Sequence, residues 1–146
     1  MTFLKTVDSY RQGARTLPGR YYTSPDVFAE ERERIFARHW ACVGRAAALA
    51  APGDYVVVSI AGESIIVLRD QSGEIRAYYN VCRHRGTRLC EATSGRLSET
   101  IQCPYHAWTY DLDGDLIGAP HMEGTSGFRR EDFPLHAAPA THRTSR

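Results

Sequence analysis

Two short segments each carry one cysteine and one histidine close enough together to bind the same metal centre. The first pair is Cys82 and His84, in a C-x-H spacing, and the second is Cys103 and His106, in a C-x-x-H spacing, with eighteen residues between the pairs. Thiolate sulfur and imidazole nitrogen are ligands of both zinc and iron. The four side chains therefore fit either one zinc ion with four protein ligands, or a 2Fe-2S cluster with the cysteines on one iron and the histidines on the other.

The order of the ligands separates these two alternatives. The usual zinc module of this composition pairs cysteine with cysteine and histidine with histidine, whereas each segment of this chain contributes one of each. A two-iron cluster uses the mixed order directly, because the thiolate of each loop can bind the inner iron while the histidine, nearer the loop tip, binds the outer iron. The spacing therefore favours a 2Fe-2S cluster.

The remaining cysteines and histidines are not predicted ligands. A reducing cytoplasm, and a chain of 146 residues that can bury a core, argue against pairing the four cysteines in disulfides. We expect Cys90 to be a free thiol and Cys42 to be a small buried hydrophobe. His39 and His121 are expected to be surface or satisfied core residues.

The elements that must position the two loops are predicted to be strands, preceded by one helix. Ser24-Pro25 offers a helix cap followed by a first-turn proline, and apolar residues at four- and seven-residue steps predict a helix over about 25–40 that packs by one face. After Pro52-Gly53, runs of β-branched residues predict an antiparallel meander. The predicted strands are 54–60, 64–69, 74–80, 100–103, 107–111 and 115–117, with the Asp113-Gly114 turn between the last two.

These patterns divide the chain into three parts. Residues 1–50 form an N-terminal segment with the helix, and residues 51–135 form a mainly β domain with two metal-binding loops. Residues 136–146 contain no large apolar side chain, so we expect a tail without packed structure.

Charge and hydropathy exclude several classes of partner. The 18 basic and 17 acidic residues leave a formal net charge of +1, too weak a field to predict a nucleic acid or an anionic membrane as partner. No apolar run approaches the roughly 18 to 20 residues that cross a bilayer, and the first sixteen residues lack the apolar segment of a secretory signal. We therefore expect a cytoplasmic protein with no membrane or nucleic-acid partner.

The residues around the four ligands resemble a known family. The strings NVCRHRG at 80–86 and CPYHAWTYD at 103–111, together with Tyr21-Tyr22 before the helix, resemble the Rieske motif of the α subunits of Rieske non-haem iron oxygenases, the ring-hydroxylating and N-demethylating group. The resemblance covers about Leu17 to Leu135. It implies a Rieske-type fold of antiparallel sheets in which two loops hold a 2Fe-2S cluster.

The resemblance implies electron transfer within an oxidoreductase, a dioxygenase or monooxygenase. Electrons would come from a ferredoxin or flavin reductase and pass to a mononuclear iron in a catalytic domain, on this chain's continuation or on a neighbouring α subunit. This chain is expected to stop before that domain and to show no oxygenation alone. The string over 80–90 resembles members that act on methylated amines. Three arginines are expected to be solvated charges rather than a docking patch for an acidic ferredoxin: Arg83, Arg85 and Arg88.

Two other functions stay open. A stand-alone Rieske ferredoxin would be an electron carrier, but such carriers begin almost at the first strand and lack the N-terminal segment. A zinc-stapled interaction module would have no redox role and would be colourless.

Asp132, His136 and His142 have the types and order of the ligands of a mononuclear iron. Pro134 and Pro139 would break a helix at these positions, so we do not predict an iron site there.

Histidine ligation raises the reduction potential of a 2Fe-2S cluster from about −400 mV into a range of roughly −150 to +300 mV. High-potential relatives add a disulfide between the loops and hydroxyl donors to the sulfurs. Tyr105 and Thr87 stand in the places of the two extra cysteines, and Ala107 supplies no hydroxyl. We therefore expect a potential near the low end of that range.

Overall fold

The computed structural model describes residue 13 and residues 15–142. Within this part, the chain divides after His39 into a helical unit and a β unit that begins at Trp40. None of the helices in the described part of the chain is long and apolar enough to cross a membrane.

The helical unit contains a short helix α1 (Arg20–Thr23) and a helix α2 (Pro25–Glu31) that continues as a π-helical turn over Arg32–Phe36. The helix begins at Pro25 as predicted and ends about four residues early. Its apolar side chains are exposed, Phe28 by 54% and Ile35 by 47%. Within the helical unit itself this face is not packed, contrary to the expectation, because an apolar stripe is buried only where another surface covers it. Cys42, expected to be buried, is also exposed.

The β unit opens with a four-stranded antiparallel sheet in the order β3-β2-β1-β4. Its strands are β1 (Asp54–Ile60), β2 (Glu63–Arg69), β3 (Ile75–Tyr79) and β4 (Ser94–Arg96). The three strands with β-branched and aromatic runs are confirmed to within a residue at each end. Strand β4 was not predicted, since its Ser-Gly-Arg sequence has no strand preference. It forms by pairing with β1, where Arg96 Nε donates to Asp54 Oδ1 at 2.6 Å.

A second antiparallel sheet has the order β5-β6-β7, with β5 (Thr100–Gln102), β6 (Thr109–Asp111) and β7 (Leu116–Gly118). Gly114 turns the chain between β6 and β7 at a φ of 91°. A Cβ at this position would lie 2.6 Å from Cε1 of Tyr78. A glycine is therefore required both for the turn and for the close approach of this hairpin to β3. The predicted mainly β class with antiparallel sheets and an N-terminal helix is confirmed.

The main hydrophobic core lies between the two sheets. Ile66 and Leu68 of β2 pack there with residues of the second sheet such as Ile101 and Tyr110. The alternate β2 residues, Ile65 and Val67, belong to a second buried cluster with Leu49 and Ala77. Strand β2 is thus buried on both faces, which explains why its sequence reads as a continuous apolar run.

The expectation that residues 136–146 have no packed structure is wrong for the first three of them. The N–H of Tyr79 donates to the carbonyl of His136 at 2.9 Å, and the N–H of Ala138 donates to the carbonyl of Ala77 at 2.9 Å. These residues extend the sheet at β3, an edge strand whose backbone groups need a partner. Backbone pairing requires no large apolar side chain, so composition did not reveal it. Residues 143–146 of the predicted tail lie outside the described residues.

A buried carboxylate links the two sheets. Asp70, with no exposed surface, accepts hydrogen bonds from Ser72 Oγ at 2.7 Å, Glu74 N at 2.9 Å and Arg76 Nε at 2.6 Å. Arg76 also binds Asp113 at 3.0 Å, in the turn between β6 and β7. Burial opposes the charge of Asp70, but the hydrogen bonds outweigh it and lower the pKa of the carboxyl to about 2.

Candidate metal centre

The first predicted metal-binding segment lies in the connection between β3 and β4. The N–H of Cys82 donates to the carbonyl of Thr87 at 2.8 Å, and the N–H of Gly86 donates to the carbonyl of Cys82 at 3.0 Å. Gly86 has a φ of 72°, in the left-handed region that closes such a turn. These contacts define loop 1, residues 82–87, with its cysteine at the base.

The second segment, between β5 and β6, repeats the same backbone pattern. The N–H of Cys103 donates to the carbonyl of Trp108 at 2.8 Å, and the N–H of Ala107 donates to the carbonyl of Cys103 at 3.1 Å. Ala107 has a φ of 56°, so an alanine occupies the left-handed position that a glycine occupies in loop 1. We call residues 103–108 loop 2.

The four predicted ligands lie as a pair of thiols and a pair of imidazoles. Cys82 and Cys103 are both only 2% exposed. Burial raises the pKa of the Cys82 thiol, the hydrogen bond with Tyr110 lowers it, and the neighbouring Cys103 thiol adds to the rise. The rings of His84 and His106 lie edge to face with centroids 4.7 Å apart. In the described part of the chain there is no group of three or more His, Cys, Asp or Glu side chains that could hold a metal ion.

One ring nitrogen of this group needs a partner that the described residues do not supply. His84 Nδ1 is buried and has no hydrogen-bond partner among the described residues, and an unsatisfied buried polar atom costs about 1–3 kcal/mol. Burial, and then the neighbouring His106 and Arg85, lower the pKa of His84, so its imidazole is neutral as metal binding requires. A pair of thiols beside a pair of imidazoles is a donor set that fits a 2Fe-2S cluster.

Tyr110 places a hydroxyl against the first cysteine, which the sequence reasoning missed. Its oxygen lies 3.4 Å from Cys82 Sγ and accepts a hydrogen bond from the backbone N–H of Arg83 at 3.1 Å. Since that oxygen already accepts from Arg83, its own proton is free to point at the sulfur. Burial, and then the contact with Cys82, raise the pKa of Tyr110, which keeps the hydroxyl a donor. Ala107 supplies no hydroxyl to the sulfurs, but Tyr110 brings one to Cys82.

Asn80, which precedes loop 1, forms hydrogen bonds with the residues that follow the loop. Its Oδ1 accepts hydrogen bonds from the N–H groups of Leu89 at 3.0 Å and Cys90 at 2.8 Å. Its Nδ2 donates to the carbonyl of Cys90 at 2.7 Å and to Ser64 Oγ at 3.2 Å. The side chain is 4% exposed, so four hydrogen bonds satisfy its full polar capacity away from water.

Aromatic side chains support the histidines. The Trp108 ring of loop 2 stacks on His84 of loop 1, with centroids 4.9 Å apart and an interplanar angle of 9°. Phe128 and Phe133 pack against the same tryptophan, each at 5.7 Å. On the other histidine, the exposed Tyr105 stacks against His106 at 3.7 Å. A residue of loop 2 thus fixes the ring of loop 1.

The other singled-out residues lie apart from this group. Cys90 is buried and forms no disulfide with the other described cysteines, and burial raises the pKa of its thiol to about 11. His39 and His121 are exposed. Arg85 and Arg88 are exposed as expected, whereas Arg83 is half-buried and its Nη1 lies against Nε2 of His136.

Two of the three residues with the order of iron ligands have other partners. Asp132 forms an ion pair with Arg129 at 2.7 Å, and the contact with Arg83 occupies His136. The structure brings neither of them to a shared site with His142.

Comparison with known proteins identifies what this arrangement is similar to. The family described as Rieske [2Fe-2S] domain matches residues 39–129. The chain is 44% identical over 124 residues to the carnitine monooxygenase oxygenase subunit of Escherichia coli, covering 85% of this chain and 33% of that protein. It is 45% identical over 127 residues to the glycine betaine monooxygenase oxygenase subunit of Chromohalobacter salexigens, covering 87% of this chain and 27% of that protein.

Solved structures agree with the sequence comparison. A quaternary ammonium Rieske monooxygenase superposes with a TM-score of 0.78 at 42% identity, over 84% of this chain and 35% of that one. Naphthalene 1,2-dioxygenase from Rhodococcus sp. superposes with a TM-score of 0.76 at 38% identity, over 82% of this chain and 28% of that one. The chain spans about a third of the length of the curated relatives it matches.

Proposed function

The chain belongs to the Rieske 2Fe-2S domain family, and on that premise we propose that it carries electrons to the mononuclear iron of a ring-hydroxylating-type oxygenase α subunit. Its relatives are the oxygenase subunits of Rieske monooxygenases and dioxygenases. The observation that supports this role best is the pairing of two buried thiols with two imidazoles on loops of identical backbone pattern.

We assign the cluster to four side chains, with the thiolates of Cys82 and Cys103 on the inner iron and the imidazoles of His84 and His106 on the outer iron. The buried, unpartnered Nδ1 of His84 supports this assignment. A 2Fe-2S cluster with two thiolates and two neutral imidazoles has no net charge when oxidised and accepts one electron. The buried cysteines exclude water from their side of the site, while the half-buried histidines at the loop tips form the exit toward a redox partner.

Two features set the expected potential in opposite directions. Thr87 and Tyr105 leave the loops without the disulfide of high-potential relatives, and Ala107 brings no hydroxyl, so the low end of the histidine-ligated range is favoured. The Tyr110 hydroxyl stabilises negative charge on Cys82 and raises the potential above what those absences alone would give.

We further propose that a ferredoxin or flavin reductase in the cytoplasm reduces the cluster, and that the oxygenase served by this chain acts on a methylated amine. The substrate class is supported by the degree of similarity. Identity is 44–45% with the carnitine and glycine betaine monooxygenase subunits, and 37% and 32% with the biphenyl and benzene dioxygenase subunits.

The cluster assignment is tested by the absorption spectrum of the purified chain, with iron and acid-labile sulfide assays. We expect two irons and two sulfides per chain, and a reduced form whose electron paramagnetic resonance signal has the low average g of histidine-ligated clusters. The variant Cys103→Ser should lose the cluster. Cys90→Ser is the matched control, because Cys90 is equally buried and is not assigned as a ligand. One zinc per chain without sulfide would overturn the assignment.

The functional role is tested by anaerobic reduction followed by turnover assays. A ferredoxin with its reductase should reduce the chain, and oxygen should reoxidise it without consumption of carnitine, glycine betaine or an aromatic substrate. Substrate-dependent oxygen uptake that is lost in His136→Ala would show instead an iron site formed by Asp132, His136 and His142.

A further inference from the structure

Arg83 stands between two assigned ligands, and its side chain is half-buried. Its Nη1 lies 2.5 Å from His136 Nε2, and its guanidinium carbon lies 6.0 Å from the centroid of the Phe133 ring. Its Nε is buried without a hydrogen-bond partner among the described residues. Since an arginine in a turn can readily hydrate its charged group, residues 133–136 must hold it in place.

The backbone on both sides of His136 is fixed independently of Arg83. The N–H of Leu135 donates to the carbonyl of Gly114 at 2.7 Å, and the carbonyl of His136 accepts from Tyr79 at 2.9 Å. Ala137 then forms a β-bridge with Tyr78. The ring of His136 is therefore presented to loop 1 from an anchored segment.

The chemistry of the contact fixes the state of the histidine. A guanidinium group can only donate hydrogen bonds, so Nε2 of His136 must accept. The imidazole is then neutral, with its proton on Nδ1. The result is a single positive charge, that of Arg83, held beside loop 1 by a neutral acceptor.

We propose that His136 is a positioning residue for the cluster, which acts by holding the positive charge of Arg83 against loop 1. A positive charge close to the cluster stabilises its reduced form, which is the more negative one. The potential is therefore higher with the Arg83–His136 contact than with a hydrated Arg83. This inference rests on the proposed assignment of Cys82 and His84 as ligands.

The first test measures the contact without reference to the cluster. The full chain is labelled with phenylglyoxal, which modifies accessible arginines, and the rates at Arg83 and Arg85 are compared by peptide mass spectrometry. Arg85 is the matched control, because it lies exposed in the same loop. We expect Arg83 to react more slowly than Arg85 in the wild type.

Two variants at position 136 distinguish the length of the side chain from its ability to accept a hydrogen bond. His136→Gln keeps an acceptor near the place of Nε2, whereas His136→Asn carries the same amide on a side chain one methylene shorter. Labelling of Arg83 should become several-fold faster in H136N and stay near the wild-type rate in H136Q, with Arg85 unchanged in both. An unchanged Arg83 rate in H136N would overturn the proposal and leave the cluster assignment intact.

The second test is the reduction potential, measured by protein-film voltammetry. H136N should shift the potential in the negative direction, as Arg83→Met should, and the double variant should match Arg83→Met alone, because His136 acts only through Arg83. H136Q should restore the wild-type value. Additive shifts in the double variant, or a wild-type potential in H136N, would overturn the proposal. For a variant that loses iron, the labelling comparison still tests the contact between Arg83 and His136.

Discussion

Loops 1 and 2 have the same backbone hydrogen bonds but differ in what supports them. Each begins with a cysteine whose N–H donates to the carbonyl of the residue five positions later. The carbonyl of that cysteine accepts from the N–H of the residue four positions later. Loop 1 is surrounded by buried polar groups, Asn80 and Tyr110. Loop 2 carries the aromatic side chains instead, since Tyr105 stacks on its own His106 and Trp108 stacks on His84 of loop 1. The turn itself therefore accepts either C-x-H or C-x-x-H, and the two loops differ in the side chains that surround them.

The strongest test of this contrast removes the polar support of loop 1. Asn80→Ala leaves the N–H groups of Leu89 and Cys90 buried without an acceptor, and we expect it to lower the free energy of unfolding by about 3 kcal/mol. Urea denaturation and iron content measure the effect. Ser64→Ala, which removes only one of the four contacts of Asn80, should cost no more than about 1 kcal/mol. Equal losses in the two variants would contradict a special role for Asn80.

The stability of the protein at low pH should show whether the two loops depend on one shared contact, that of Arg76 with Asp70 and Asp113. Asp70 and Arg76 link the strand before loop 1 to the hairpin after loop 2. Because the folded-state pKa of Asp70, about 2, lies below that of the unfolded chain, its stabilisation is complete above about pH 4 and is lost as the pH falls toward 2.

The loss should amount to about 2 kcal/mol, read from unfolding curves across that range of pH. Asp70→Asn should be less stable at neutral pH and should show a smaller decline in acid. A decline as steep as that of the wild type would assign the acid sensitivity to other carboxylates.

Substitutions at the left-handed position of the two loops are expected to change the stability of the protein differently. Gly86→Ala forces a Cβ into a conformation that L-residues avoid and should cost about 1 kcal/mol. Ala107→Gly relieves that conformation in loop 2 and should be neutral or slightly stabilising, because the gain is offset by the flexibility of glycine in the unfolded chain. Thermal unfolding of the two variants compares the loops directly. A loss of stability in both would show that the methyl group of Ala107 has a packing role.

The smallest expected effect concerns the potential. Tyr110→Phe removes the hydroxyl that contacts Cys82 and should lower the potential by about 40 mV, the equivalent of one hydrogen bond of about 1 kcal/mol. Tyr78→Phe is the control, since Tyr78 is also buried and its hydroxyl donates instead to the carbonyl of Leu112 at 3.2 Å. The same shift in both variants would indicate a general loosening of the fold.

The sequence predicted what depends on local pattern and on ligand chemistry. Runs of β-branched residues located the longer strands, and the order of cysteine and histidine favoured a two-iron cluster. Contacts between distant segments were not accessible in this way. Tyr110 reaches Cys82 across 28 residues and Arg83 reaches His136 across 53, and both depend on how strands pair. The exposed face of α2 was missed for the opposite reason, because a periodic apolar stripe does not reveal what covers it.

The burial of strand β2 on both faces determines which parts of the molecule unfold locally and which unfold only with the whole protein. The amides of Ile66, Val67 and Leu68 are hydrogen-bonded between two neighbouring strands and covered from above and below. Their hydrogen exchange should require global unfolding, whereas the turns at Gly86 and Ala107 can exchange through local opening. Assembly of the proposed cluster at these loops would then proceed while the sheet stays closed, without refolding of the protein.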